Sequence, residues 1–376
     1  MRWWSRAVLI TLPRAAGING KANSETQLTD SLIETYRILD AAANRTREGL
    51  RVIEDFVRFG LNDRHLSQIL KTHRHELSEI IRSLPESHLL VARDTLHDVG
   101  TSIGTPTEYQ RTSPVDVVRA AFKRVQEALR TLEEYSKVVD ASLAVRFEQL
   151  RYQLYTSEKA VLRSESAARQ FREHHLYLLV QAEQCSIGFE AVVKSALAAG
   201  VRLIQLREKN LNDRDLLGQA RRLREWTAPW GALLIINDRP DIAVLSGADG
   251  VHVGQEELTV QDARRIVGPD RLIGVSTHSI EQARQAVLDG ADYLGVGPTF
   301  PSGTKTFTEF PGLRLVRDIA SEISLPWFAI GGIDVQNGLE VIRAGATRIA
   351  VGGAVCHSSS PETAARELLS LVGSLL

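Results

Sequence analysis

The sequence predicts an α/β protein in which an N-terminal all-α domain precedes a C-terminal (β/α)8 TIM barrel. First, apolar residues recur at spacings of three and four over residues 29–168, which is typical of amphipathic helices. Second, short β-branched runs alternate with amphipathic segments over residues 174–376, which indicates a parallel sheet. Third, eight such units follow one another within roughly 200 residues, the size of a compact barrel.

The chain starts with a segment, residues 1–28, that we interpret as a disordered leader. Its apolar run, Ala7–Ile10, is shorter than the roughly 7–15 residues of a signal-peptide core. Four helices are predicted after it, at 29–59, 64–83, 114–138 and 142–168, with a loop at roughly 92–112. Ser113 and Pro114 favour a helix start, because serine caps a helix and proline suits the first helical position.

Two stretches of the helical domain resemble each other. Glu48–Phe56 and Glu127–Tyr135 share Glu, Leu, Arg and Glu at equal spacing. Duplication and convergence are both open, since many amphipathic helices look alike. A duplication predicts that the two helices face each other about a pseudo-two-fold axis.

The predicted strands of the barrel are eight apolar runs: Leu176–Val180, Val201–Leu206, Ala232–Ile236, Gly250–Val253, Leu272–Val275, Tyr293–Val296, Trp327–Ile330 and Arg348–Val351. The predicted helices are 189–199, 213–226, 279–289, 311–322, 335–344 and 361–374. An open doubly wound sheet would place its glycine-rich turn after the first strand, whereas the glycine pairs here follow the seventh and eighth. Residues 159–175 contain neither Pro nor Gly, so a helix or a stiff segment is expected to join the domains.

Composition narrows the set of partners. A formal net charge of -1 argues against general nucleic-acid binding, and no apolar run reaches the ~20 residues that span a membrane. Cys185 and Cys356 form no CxxC pattern, so we expect no disulfide framework or zinc site, and a cytoplasmic location. Small-molecule substrates are the expected partners, and a homo-oligomer is left open.

Catalytic groups of a TIM barrel lie at the carboxyl ends of its strands. The charged and polar residues at these ends are the basic Arg207, Lys209 and Lys305, the carboxylates Asp238 and Glu257, and the neutral Asn237 and Ser276. Two carboxylates suit Mg²⁺, which is usually held by one or two carboxylates together with substrate phosphate oxygens. His252 lies in the fourth predicted strand and is interpreted as a core residue rather than a ligand.

Glycine pairs end the seventh and eighth predicted strands, at Gly331–Gly332 and Gly352–Gly353. Without side chains, these turns let backbone N–H groups approach a phosphate, which is the usual phosphate site of a TIM barrel. The strand ends together therefore predict a site for two phosphorylated groups, one bound through Mg²⁺ and one held by backbone.

Six motifs in order, QLREK, IINDR, GVHVGQEE, GVSTHS, GVGPTFPSGTK and IGGI, resemble those of the thiamine phosphate synthase family. The resemblance covers residues 174–376. It implies a transferase that joins a hydroxymethylpyrimidine diphosphate to a thiazole phosphate, giving thiamine phosphate and pyrophosphate, with Mg²⁺ as cofactor.

The resemblance also implies roles for individual residues. Asp238 and Glu257 would hold Mg²⁺. The pyrimidine diphosphate would contact Gln205, Leu206, Arg207, Glu208, Lys209, Asn237 and Ser276. The thiazole phosphate would contact Ser302, Gly303, Thr304, Gly332, Gly352 and Gly353. The candidate catalytic residues are Arg207, Lys209, Ser276 and Lys305, of which Lys305 would reach the diphosphate.

This sequence departs from the family pattern at three places. Glu257 stands where the second metal position is usually Asp, which keeps the charge but adds a methylene. Ser302 replaces a usual Thr, and Gly352–Gly353 replaces a usual Val-Ser pair. Since no charge is lost, we expect activity to survive.

Two alternative functions are considered for the barrel. A thiazole tautomerase shares the fold but transfers a proton and needs no Mg²⁺–diphosphate site. A non-catalytic regulator that binds thiamine phosphates is the second alternative. Asp238, Glu257 and Lys209 argue against both, because they form an intact set of charges for a diphosphate.

The helical domain carries a resemblance of its own. AAANRTREGLRVIEDFVRF and VARDTLHDVGTS resemble a domain fused to, or encoded near, thiamine phosphate synthases and regarded as a hydroxymethylpyrimidine phosphate kinase. No Walker A loop and no kinase glycine-rich loop are present in the sequence. A structural or dimerisation module is therefore the competing interpretation.

Overall fold

The computed structural model describes residues 29–103, 110–301 and 311–373, so the predicted leader at 1–28 lies outside the described residues. Within these ranges, an all-helical domain leads into a closed barrel of parallel strands, as the sequence predicts. None of the helices in these ranges has the length and apolarity that would let it cross a membrane.

The described part of the helical domain contains the α-helices α1 (Asp30–Asp55), α2 (Arg64–Arg82), α3 (Glu86–Ala92), α4 (Pro114–Val139) and α5 (Ala141–Gln170). The four predicted helices are confirmed to within two residues at each end, counting the π-helical turn Phe56–Leu61 that continues α1. The predicted start of α4 is also confirmed, since Ser113 Oγ accepts a hydrogen bond from the backbone N–H of Asp116. Helix α3 was not predicted, because seven residues are too few to show a helical period.

Helices α1 and α4 pack against each other, as the internal repeat predicts. In both copies of the repeat, a buried glutamate also pairs with an arginine of the following helix. Glu54 of α1 binds Arg74 of α2 at 2.8 Å, and the repeat-related Glu133 of α4 binds Arg151 of α5 at 2.9 Å. The domain is therefore built from two helical hairpins with the same kind of internal ion pair, which favours duplication over convergence.

His73 of α2 is buried where α2 packs against α5, and its Nε2 lies 2.9 Å from Ser157 Oγ. Burial lowers its pKa from 6.5 to about 4, because an imidazolium would lose its hydration there. Between pH 6.5 and about 4, His73 is therefore protonated in the unfolded chain and neutral in the folded chain. The stability due to neutral His73 is complete above pH 6.5 and is lost as the pH falls through that value toward 4.

We expect this histidine to remove about 3 kcal/mol of unfolding free energy between pH 7 and pH 4. His73→Leu should flatten that part of the profile, because leucine fills the site without titrating. Urea unfolding followed by circular dichroism at several pH values measures the difference. Equal pH slopes for the two proteins would show that His73 titrates normally in the fold.

The barrel closes in the order of the chain, with every neighbouring pair of strands parallel and β1 paired to β8. Its strands are β1 (Leu176–Val180), β2 (Leu203–Leu206), β3 (Leu233–Asn237), β4 (Gly250–Val253), β5 (Leu272–Thr277), β6 (Tyr293–Val296), β7 (Trp327–Ile330) and β8 (Ile349–Val351). Each predicted strand is confirmed to within two residues.

The helices of the barrel are α6 (Phe189–Ala199), α7 (Asp213–Thr227), α8 (Pro240–Leu245), α9 (Val260–Val267), α10 (Ile280–Asp289), α11 (Gly312–Glu322), α12 (Gly338–Arg343), α13 (Gly353–Cys356) and α14 (Pro361–Gly373). Helices α8, α9 and α13 were not predicted. They have eight residues or fewer, and such short segments carry at most two turns of periodicity.

The helical domain is docked at the amino-terminal ends of the barrel strands. The Asp63 carboxylate accepts hydrogen bonds from the backbone N–H and the hydroxyl of Ser324, which precedes β7. Lys159 of α5 donates to the carbonyl of Asp289, which precedes β6. Phe171, at the end of α5, is fully buried and packs on barrel aromatics. Among the described residues, the contacts of the helical domain named here therefore lie at the end of the barrel opposite the carboxyl ends of the strands.

Acidic side chains at this amino-terminal end stabilise the barrel. Asp249 accepts from the backbone N–H of Leu234 and pairs with Arg224, both at 2.7 Å. Asp292 accepts from the backbone N–H of Ile273 at 2.8 Å and pairs with an arginine of the neighbouring helix. Both aspartates lie at the end of the barrel opposite the carboxyl ends of the strands, which supports a structural role.

Candidate functional site

A cavity of about 400 Å³ opens at the carboxyl ends of the strands, and all eight strand ends contribute to its wall. Its lining includes ten of the predicted site residues: Gln205, Arg207, Lys209, Asn237, Asp238, Glu257, Ser276, Gly332, Gly352 and Gly353. Residues that are far apart in the sequence thus meet at one place, as expected when catalytic groups follow successive barrel strands.

Two predicted substrate contacts do not line this cavity. The side chain of Leu206 is fully buried in the barrel wall. Glu208 Oε1 accepts hydrogen bonds from the backbone N–H of Ala182 at 2.6 Å and from Gln219 Nε2 at 3.0 Å. Glu208 therefore ties the loop after β1 to α7, a role that its place in the QLREK motif does not disclose.

Four further predicted site residues lie outside the described residues. They follow β6 in the sequence and are Ser302, Gly303, Thr304 and Lys305. Their assignments remain predictions from the sequence.

Asp238 stands at the end of β3 in the left-handed region of backbone space, with φ at 61°. This conformation is uncommon for residues other than glycine, although Asp and Asn adopt it more readily than most. The backbone N–H of Asp238 donates to the carbonyl of His252 at 2.8 Å, which fixes the turn. Its Oδ2 accepts from Asn237 Nδ2 at 2.5 Å and lies 3.7 Å from Lys209 Nζ. The turn therefore aims the carboxylate into the cavity among polar partners.

The second carboxylate, Glu257, is packed over Gly254, where an added Cβ would overlap its Oε2. Burial raises the pKa of Asp238, and the negative charge of Glu257 raises it further, against the lowering effects of Lys209, Asn237 and Arg207. A half-buried carboxylate whose ionisation is disfavoured by burial and by a neighbouring carboxylate is one that a divalent cation would stabilise in its charged form.

No group of three or more His, Cys, Asp or Glu side chains suited to a metal is assembled within 29–103, 110–301 and 311–373. Mg²⁺ is usually held by one or two carboxylates, with water and phosphate oxygens completing its shell. The donor chemistry of Asp238 and Glu257 is of this kind.

The turns after β7 and β8 line the other side of the cavity. Gly331 and Gly332 have φ of 103° and 64°, and a Cβ on Gly332 would come within 2.7 Å of the Pro301 carbonyl oxygen. Only glycine fits such a backbone without strain. Gly352 and Gly353 lie at the start of α13 and complete this wall.

Several residues that line the cavity were not predicted from the sequence as site residues. Gln181 and Gln184 reach it from the loop after β1, and His357 reaches it after β8. The position of Gln181, directly after a predicted strand, is the one signal that could have indicated it. His252 is buried with both ring nitrogens within hydrogen-bond distance of hydroxyls, which agrees with a core histidine, yet it also lines the cavity.

A closed eight-stranded barrel with carboxylates, basic side chains and glycine turns gathered at one end has the architecture of the TIM-barrel enzymes. Comparison with known proteins narrows this class. Residues 176–355 match the family model described as "Thiamine monophosphate synthase", and residues 37–160 match the "ThiD2 family".

Full-length relatives resemble both domains together. The chain is 45% identical over 348 residues to the thiamine-phosphate synthase of Rhodopirellula baltica, covering 89% of this chain and 93% of the relative. It is 46% identical over 325 residues to that of Gloeobacter violaceus, covering 86% and 93%. A solved thiamine phosphate pyrophosphorylase from Pyrococcus furiosus has 34% identity and a TM-score of 0.50, covering 54% of this chain and 96% of that one. The chain therefore belongs to the thiamine-phosphate synthase family and is an enzyme of thiamine biosynthesis.

Proposed function

We propose that the barrel condenses 4-amino-2-methyl-5-hydroxymethylpyrimidine diphosphate with thiazole phosphate, giving thiamine phosphate and pyrophosphate. One observation carries this proposal. The Asp238–Glu257 pair and the basic Arg207 and Lys209 share a cavity with the glycine turns after β7 and β8. One cavity thus offers a place for a metal-bound diphosphate and a separate place for a monophosphate.

The reaction needs charge stabilisation more than proton transfer. As the diphosphate leaves, negative charge develops on its oxygens, and Arg207 and Lys209 lie where they would balance it. Asp238 and Glu257 would hold Mg²⁺, which supplies positive charge at the diphosphate when bound. The thiazole nitrogen forms the new bond with its own lone pair, so no general base is required.

Backbone groups are proposed to position the second substrate. The turns at Gly332, Gly352 and Gly353 would donate N–H groups to the thiazole phosphate. By resemblance, Ser302–Thr304 would complete that site and Lys305 would reach the diphosphate. Held at opposite walls of one cavity, the two substrates would meet with their reacting atoms already oriented.

The test is to supply the purified full chain with both substrates and Mg²⁺. Thiamine phosphate and pyrophosphate should form in equal amounts. A chain that binds both substrates and forms neither product would refute the synthase proposal and favour a regulator. Conversion of the thiazole phosphate alone to its tautomer would favour a tautomerase.

We propose in addition that the helical domain phosphorylates the pyrimidine monophosphate. The second of the two segments that carry its resemblance contacts α1 just before the first segment begins. The Arg93 guanidinium binds the Asp40 carboxylate through two hydrogen bonds of 2.8 and 2.6 Å, and Arg37 donates to the Asp94 carbonyl at 2.9 Å. Polar side chains of α1 are thereby gathered beside the segment that follows α3.

We expect the full chain to convert the pyrimidine monophosphate and ATP to the diphosphate. Arg93→Ala should lower that rate about tenfold or more, because it removes a paired charge that holds this segment on α1. Arg265→Ala, which removes an exposed arginine from α9 of the barrel, is the matched control and should change nothing. Absence of phosphorylation by the unaltered chain would make the domain a structural module.

We propose a cytoplasmic location, supported by two free thiols, of which Cys185 is half-buried and Cys356 is buried. Small molecules are the proposed partners.

Homo-oligomerisation is proposed as well, supported by large apolar side chains that remain exposed near the end of α3 and beyond it, at Leu90, Val91, Leu96, Val99 and Ile103. Light scattering that gives the mass of one chain would exclude it.

A further inference from the structure

A continuous chain of five polar side chains crosses the barrel interior beside the cavity. Gln205 Nε2 donates to the Tyr177 hydroxyl at 2.6 Å, and that hydroxyl lies 2.8 Å from the Tyr293 hydroxyl. The Tyr293 hydroxyl lies 3.2 Å from His252 Nδ1, and His252 Nε2 lies 3.0 Å from Ser276 Oγ. The chain therefore links β2 to β5 through β1, β6 and β4.

Each hydroxyl in this chain has one hydrogen to donate, so the direction of one bond fixes the next. Burial raises the pKa of both Tyr177 and Tyr293, which keeps the phenols protonated. Since Tyr177 accepts from Gln205, its own hydrogen goes to Tyr293. Tyr293 then donates to Nδ1 of His252, whose hydrogen on Nε2 is left for Ser276.

This order assigns opposite roles to the two ends of the chain. Ser276 Oγ accepts from His252, so its own hydrogen is directed into the cavity that it lines. At the other end, Gln205 uses its amide N–H for Tyr177, and its buried Oε1 has no hydrogen-bond partner among the described residues. Gln205 is 1% exposed and also lines the cavity. One wall of the cavity thus offers a donor at Ser276 and an acceptor at Gln205.

We propose that the buried chain sets this donor and acceptor pattern, so that Tyr177, Tyr293 and His252 act as positioning residues that select an aminopyrimidine over an oxopyrimidine. The inference rests on the proposed function. An aminopyrimidine presents a ring nitrogen that accepts and an exocyclic amine that donates, which complements the two ends. The 4-oxo form presents a ring N–H and a carbonyl, which opposes both.

Adaptation to the oxo form would require all five groups to reverse their hydrogen bonds together. Cutting the chain in the middle removes that requirement, because Ser276 and Gln205 can then turn independently. The three inner residues therefore matter for specificity even though Tyr293 does not line the cavity.

The test is calorimetric titration of the full chain, in Mg²⁺, with 2-methyl-5-hydroxymethylpyrimidine diphosphate in its 4-amino and 4-oxo forms. The unaltered chain should bind the amino form about 100-fold more tightly, the scale expected when buried polar groups lose their partners. Tyr293→Phe should reduce that ratio about tenfold or more. A ratio measured within one variant does not depend on how much of the protein is folded.

Phe328→Leu is the matched control, because Phe328 packs against both tyrosines, at 5.2 and 5.8 Å between ring centroids, and carries no polar atom. Its ratio should stay that of the unaltered chain. Equal binding of the two forms by the unaltered chain, or an unchanged ratio in Tyr293→Phe, would overturn the inference. Preference for the amino form without synthesis would refute only the proposed function, and synthesis without preference would refute only this inference.

Discussion

Replacement of Asp238 by Asn should lower kcat/KM for thiamine phosphate synthesis on the order of 10³-fold while leaving the fold intact. The change removes one of two carboxylates proposed to hold Mg²⁺, and with it the means of balancing the charge of the departing diphosphate. Asparagine tolerates the left-handed backbone at this position as aspartate does, so the turn after β3 should persist. Steady-state kinetics with circular dichroism of the same preparations measures both effects.

The matched control is Asp241→Asn. Asp241 is three residues further on, pairs with Arg239 at 2.7 Å and does not line the cavity. The two variants lose the same charge from the same region, yet activity should survive in the control. A loss of less than about tenfold in Asp238→Asn would contradict the assigned role, because a metal ligand cannot be so dispensable.

Gly297→Ala should reduce the unfolding free energy by about 3 kcal/mol or more and abolish synthesis. Gly297 follows β6 at the cavity wall, and a Cβ there would overlap the backbone carbonyl oxygen of Ile330 at the end of β7. A backbone atom cannot rotate away as a side chain can, so β6 and β7 would have to separate where the cavity is formed. Denaturant unfolding and the synthesis assay measure the two losses.

Gly218→Ala controls for the substitution itself. Gly218 lies in α7 with nothing within 4 Å of the position of a Cβ. Alanine there should raise the unfolding free energy by about 0.5–1 kcal/mol through its higher helix propensity. If Gly297→Ala were as stable as this control, the close approach of β6 and β7 would not exist in solution.

The sequence predicts the barrel and the composition of its site because both follow from local patterns. A β-branched run is buried wherever the sheet closes, and the residue after it lies at the strand end. Arg207, Lys209, Asn237, Asp238 and Ser276 were placed in this way, and the structure brings them to one cavity.

The sequence does not predict contacts that depend on how distant elements face each other. Glu208 shares a motif with Arg207 and Lys209, but its side chain turns away from the cavity to hold the loop after β1. The chain from Gln205 to Ser276 joins five strands through two tyrosines, whose spacing in sequence gives no sign of contact. Such relations arise from the closure of the barrel and become visible only in three dimensions.

The end of the barrel at which the helical domain docks was likewise not predicted from the sequence. The stiff junction was predicted, and α5 does run to Gln170 before β1 begins at Leu176. The docking end was not predicted, because it depends on single polar contacts such as Asp63 with Ser324. These contacts place the described part of the helical domain at the end of the barrel away from the cavity.

We propose that Asp238 and Glu257 together hold a divalent cation against a substrate diphosphate. Anomalous diffraction from crystals of the full chain, grown with Mn²⁺ in place of Mg²⁺ and the pyrimidine diphosphate, tests it without reference to turnover. We expect an anomalous peak within coordination distance of both carboxylates and of diphosphate oxygens. A bound diphosphate with its metal elsewhere, and both carboxylates free of the metal, would contradict this proposal.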